Sequence, residues 1–141
     1  MHEFGLVALG MALALAVRSD IRGRTISNIL VAIAWTTGIA LAVIGWGPAL
    51  WSALLGSFIA AVALLPLYLM GGMAAGDVKL MGVVGVYLGV PGAILAVLYS
   101  AVAGGALAIV WKCRQGPRSR MPYAIAIAGG SMAYVLSVFS A

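Results

Sequence analysis

The sequence predicts an all-α membrane protein, a polytopic bundle of about six transmembrane helices joined by short loops. Three observations carry that expectation. Of 141 residues, 65% are hydrophobic and only 8% charged, where a soluble domain has about 25% charged residues. Long apolar runs alternate with short segments of breakers or bases. The eight Lys and Arg residues fall in or beside every second connection and avoid the others. About six crossings of roughly 20 residues exhaust the chain, so residues 1–141 read as a single domain.

Residues 4–17 form the first apolar run, closed by Arg18-Ser19-Asp20. A secretory signal would place its positive charge before the run, whereas here the arginines follow it. A retained first helix with its N-terminus outside is therefore expected. The polar stretch Arg18–Asn28 leads to a second span over 29–45, which turns at Gly45-Trp46-Gly47-Pro48. A third span over 49–70 ends in Gly71-Gly72-Met73-Ala74-Ala75-Gly76-Asp77. From Leu80 to Trp111 no charge occurs. One unbroken helix of that length would reach about 48 Å, too long for a hydrocarbon core of roughly 30 Å. Gly89-Val90-Pro91-Gly92 is the expected break, giving a short fourth helix over 78–89 and a fifth over 92–111. The basic loop Lys112–Arg120 precedes a sixth span over 122–140.

Charge orients this arrangement. The net charge is +5, and the bases gather in the segments 18–28, 71–79 and 112–120, which six spans place on one face. The positive-inside rule makes that face cytoplasmic and puts both termini outside. Trp46, Trp51 and Trp111 suit interfacial positions, and Trp35 is assigned to helix packing. Gly85 and Gly89, spaced as GxxxG, and the pairs Gly104-Gly105 and Gly129-Gly130 suit close helix contacts. The single cysteine, Cys113, can form neither an intrachain disulfide nor a cysteine-based zinc site. Such a membrane-embedded chain offers basic residues to lipid headgroups, and no nucleic-acid role is expected.

The carboxylates are Glu3, Asp20 and Asp77. Both aspartates fall at cytoplasmic helix ends beside apolar runs, where an unpaired carboxylate costs a few kcal/mol. One account makes them interfacial caps, with Asp77 as N-cap of the fourth helix and Asp20 paired to Arg22 or Arg24. The other makes them an acid/base pair. Peptide hydrolysis needs an activated water and a proton donor, and two neighbouring carboxyls that share one proton supply both. His2 is the only histidine, so serine–histidine and cysteine–histidine arrangements fit poorly. Neither a metal-ligand set nor a cofactor is expected.

The surroundings of the aspartates decide between these accounts. Asp20-Ile21-Arg22-Gly23-Arg24-Thr25-Ile26-Ser27-Asn28 resembles the Asp-x-Arg-x-x-x-Ile-Pro-Asn segment of the type IV prepilin peptidases. Ala74-Ala75-Gly76-Asp77-Val78-Lys79-Leu80 resembles their Gly-x-Gly-Asp segment, which also names the GxGD intramembrane aspartyl proteases. Met121-Pro122-Tyr123 looks like the Pro-Tyr segment that opens the family's last helix. Ala74 and Ser27 depart from the usual glycine and proline.

The resemblance implies a membrane-embedded aspartic endopeptidase with catalytic Asp20 and Asp77. Gly76, which lacks a Cβ, would allow close backbone approach, and Lys79 would hold charge near Asp77 or mark the cytoplasmic side. The implied partner is a prepilin whose basic leader lies in the cytoplasm and whose apolar helix lies in the bilayer. The 18–28 loop has neither cysteines nor room for a methyltransferase domain, so cleavage without N-methylation is expected, as in the compact branch serving Flp/Tad-type pilins. The alternatives are a proton-coupled transporter or channel and a purely structural subunit. Two aspartates on one membrane side leave no relay to the other, which counts against transport.

Overall fold

The computed structural model describes residues 2–23, 26–115 and 123–140. These residues are helical apart from short turns, and five helices are present: α1 (His2–Gly23), α2 (Asn28–Val43), α3 (Leu50–Leu69), α4 (Ala75–Gln115) and α5 (Tyr123–Ser140). The protein is an all-α membrane bundle. By length and composition α1, α3 and α4 suffice to cross a membrane, while α2 and α5 are apolar but shorter.

The helix ends follow local chemistry. α2 and α3 each close with a glycine at positive φ, Gly45 and Gly71. After α2, Trp46 N–H reaches the Leu41 carbonyl at 2.8 Å and Gly45 N–H reaches Ala42 at 3.3 Å. After α3, Gly72 and Gly71 repeat the pattern on Leu67 and Tyr68, both at 2.9 Å. These paired bonds satisfy carbonyls that a helix end would otherwise leave open.

α4 starts at Ala75 rather than 78 and runs on to Gln115, so that Lys112 and Arg114 are helical instead of in the expected 112–120 loop. Two further boundaries differ from the sequence reading. α1 continues to Gly23 instead of ending at 17, because Arg18 to Arg22 contain no helix breaker and Gly23 is the first residue that favours termination. Asp20 therefore sits within the helix rather than after it. The second difference is the break in α4. It falls on Gly89, at φ 67° and ψ −174°, a combination open essentially only to glycine. Pro91 lies in the first turn of the following limb, where a missing N–H costs little. α4 is thus one element with two limbs, 75–88 and 90–115, and the bundle has six rods.

Contacts show that the second limb folds back. At one end Phe4 stacks on Trp46 with ring centroids 5.4 Å apart. There Val90 N–H also donates to Ser52 Oγ at 3.0 Å, and Gly92 lies against the Tyr134 ring. At the other end Gly76 lies against Ile26, and Gly104 against the Tyr123 ring. Neighbouring rods therefore alternate in direction.

α3 packs most extensively on α4, and small residues explain why. A Cβ on Gly56 would stand 2.6 Å from both the Gly85 carbonyl oxygen and the Gly89 carbonyl carbon. The helices cross with backbone against backbone, the small-residue contact expected at Gly85 and Gly89. Leu80, Met81, Val83, Val84 and Val86 on the first limb are essentially inaccessible. That limb is the centre of the bundle. Tyr87 ties it to α2 by donating to the Ala34 carbonyl at 3.0 Å. Trp35, assigned to packing, joins α2 to α3 through Nε1 donation to Ser57 Oγ at 3.0 Å.

Candidate active site

The first turn of α4 sets the position of Asp77. Ala74 precedes the helix, which makes Asp77 its third residue rather than its N-cap. Its Oδ2 accepts the Ala74 N–H at 3.1 Å, and its own N–H donates to the Ala74 carbonyl at 3.1 Å. This is the carboxylate half of a capping box, in which the third helical residue satisfies the N-cap amide. It also accounts for alanine at position 74: the site uses that residue's backbone and asks nothing of its side chain.

Asp20 occupies the last turn of α1 and points into the bundle, only 8% exposed, while Asp77 is 4% exposed. Arg22 stands exposed on the same turn, about 200° around the helix from Asp20. Arg22, one of the two partners that the interfacial-cap account offers Asp20, thus points elsewhere, and the Ala124 N–H at the start of α5 donates to the Asp20 carboxylate. Arg24 lies outside the described residues. Among the described residues one Asp20 oxygen, Oδ2, has no hydrogen-bond partner, a costly state for a buried acceptor and a common one at reactive centres.

The two aspartates, far apart in sequence, come together. Asp20 is close enough for its charge to act on Asp77, and the charge of Asp77 acts in turn on the Tyr123 phenol. Three helices thus converge: α1 brings Asp20, the first limb of α4 brings Asp77, and α5 brings Tyr123 and the Ala124 amide. The Tyr123 ring is braced on Gly104 of the second limb, where any side chain would collide with it.

Gly76 and Lys79 lock the two motif segments together. A Cβ on Gly76 would stand 3.1 Å from the Ile26 Cβ, so the glycine lets the 26–28 segment close on α4. Lys79 Nζ donates to Asn28 Oδ1 at 3.0 Å. Lys79 therefore reaches the segment following Asp20 rather than Asp77 itself, from which it is about 200° away around the helix. The roles of Ile26, Asn28 and Ala124 are not readable from the sequence. Ile26 and Asn28 lay within the quoted motif, but the Ala124 contact is made by backbone and leaves no side-chain signature. Met121 and Pro122, before Tyr123, lie outside the described residues.

A sequence model of the type IV leader peptidase family matches residues 6–109. The chain belongs to that family. The match takes in both aspartates, Ile26, Asn28, Gly76 and Lys79, while Tyr123 and Ala124 lie beyond it. No curated protein and no solved structure matches the chain. As a type IV leader peptidase the protein is a peptide hydrolase set in a membrane. The chemistry of its buried site must then be sought in the few polar groups gathered there.

Proposed function

We propose that this leader peptidase is an aspartic endopeptidase in which Asp20 and Asp77 form the catalytic pair. Its substrates are type IV prepilins of the Flp kind. Cleavage falls at the cytoplasmic boundary of the bacterial inner membrane, between a basic leader and an apolar helix, and the new terminus is left unmethylated. The observation that carries this reading is the convergence of the chain's only two aspartates in one buried patch, each held by a backbone amide.

The chemistry follows from that pairing. Two carboxyls in mutual electrostatic reach share a proton, because ionising both in a low-dielectric site is costly. The ionised member takes a proton from water, which attacks the scissile carbonyl. The protonated member hydrogen-bonds the carbonyl oxygen and later supplies the proton for the leaving amine. The amides of Ala74 and Ala124 hold the carboxyls in orientation. Gly76 and Lys79 act as positioning residues, fixing the 26–28 segment to α4 and thereby Asp20 to Asp77.

Co-expression with a Flp-type prepilin tests the proposal, scored by leader removal and by the mass of the new terminus. Asp20→Asn and Asp77→Asn are each expected to insert normally and to lose at least about 100-fold in cleavage, the scale of a lost general acid or base. Near-normal processing by either variant would refute the pair. A mature terminus heavier by a methyl group would refute cleavage without methylation.

A further inference from the structure

A second site lies on the other side of α4. Between α2, α3 and the first limb of α4 a lateral cavity of about 410 Å³ is lined by Val31, Trp35, Thr36, Ser57, Ala61 and Gly82, with Asn28 and Lys79 at its end. The polar groups along its length are already satisfied. Trp35 Nε1 is bound to Ser57 Oγ at 3.0 Å, and Thr36 Oγ1 donates to the Ala32 carbonyl of its own helix at 2.8 Å. What remains is an apolar slot with an ammonium and an amide at one mouth.

That mouth carries uncompensated positive charge. Among the described residues, Lys79 has one polar partner, the neutral Asn28 carbonyl. An ammonium has three donors, so among the described residues two remain free, and the Asn28 NH₂ group has no partner among those residues either. The complement is a molecule with an anionic, oxygen-rich head and an apolar tail. The slot faces away from the aspartates, since Asp77 and Lys79 are about 200° apart around the helix. A peptide held at Asp20 and Asp77 would not lie in it, and a basic leader would be repelled by Lys79.

We propose that this slot binds one anionic phospholipid, with the phosphate on Lys79 and Asn28 and an acyl chain running past Val31 and Ala61 to Trp35. Trp35 provides the readout, whether or not the aspartates cleave anything. The full-length protein carrying Trp46→Phe, Trp51→Phe and Trp111→Phe retains a single indole. It is reconstituted in phosphatidylcholine vesicles with a minority of dibrominated phosphatidylglycerol or dibrominated phosphatidylcholine, and quenching of Trp35 emission is followed. Brominated phosphatidylglycerol is expected to quench at an about fivefold lower mole fraction, the preference one basic side chain gives toward an anionic lipid.

Lys79→Gln should abolish the preference and Lys79→Arg should keep it. Ala32→Phe, at the exposed rim of the slot, should weaken quenching by both lipids with helix content unchanged by circular dichroism. Equal quenching by the two headgroups, or a preference that survives Lys79→Gln, would overturn the assignment. Displacement of the brominated lipid by added prepilin would overturn it too, by giving the slot to substrate.

Discussion

At the scale of single residues, the site depends on what is missing from Gly76 as much as on what the aspartates carry. With Ile26 Cβ 3.1 Å from the place a Cβ would take, valine there must push the 26–28 segment off α4. A displacement of about 1 Å at reacting groups can cost roughly 100-fold in rate. Gly76→Val is therefore expected to lose most cleavage per folded molecule, and adding Ile26→Gly, which removes the opposing Cβ, should restore a good part of it. Failure of the double variant to recover, with both proteins folded, would show that Gly76 serves something other than this contact. A second test concerns Asp20. Ala124→Pro removes the amide that Asp20 accepts, at a first-turn position where proline is tolerated. It should depress turnover strongly, whereas Ala124→Gly, which keeps the N–H, should not. The aspartates themselves were legible in the sequence because carboxylates beside apolar runs are rare and costly. Their amide partners were not, because every residue but proline offers the same N–H and only folding selects which one is used.

Among the elements, the hinge in α4 decides the architecture. Gly89 combines a backbone conformation denied to other residues with a Cβ position 2.6 Å from Ser52 Oγ. Gly89→Ala should cost about 1–3 kcal/mol and lower the detergent melting temperature measurably. Gly105→Ala, in open space on the same helix, should be neutral or slightly stabilising, since alanine favours a helix interior over glycine. Equal effects of the two changes would remove the hinge from this account. The sequence placed a break within Gly89-Val90-Pro91-Gly92 but could not say which residue bends, because a proline at the start of a helix and a glycine at its end leave the same local signal. The overrun of α1 to Gly23 has a similar cause. Charge after residue 17 suggests a helix end, yet Arg and Ser are compatible with continuing the helix, and only the solvent around it changes.

For the whole molecule, alternating rods and one-sided charge amount to a statement about orientation. On the proposed topology the ends bearing Phe4, Trp46, Gly89 and Tyr134 face outside, and those bearing Asp20, Asn28 and Asp77 face the cytoplasm. A reporter fused after Ala141 should be active only outside, and cysteines introduced at Gly47 and Val90 should react with an impermeant reagent from outside. The native thiol Cys113, exposed in the structure, should react only after the inner face is opened. A C-terminus found in the cytoplasm would exclude six crossings.

The bond from Ala124 to Asp20 also sets a schedule. An acid on α1 is oriented by an amide on α5, so synthesis must run past Ala124 before the pair is held in register. A nascent protein with only its first rods in the bilayer already has both aspartates and yet no finished catalyst. On the proposed mechanism, proteolytic competence is acquired only at the docking of α5. Chains truncated before α5 are therefore expected to insert without cleaving a prepilin, which co-expression would check.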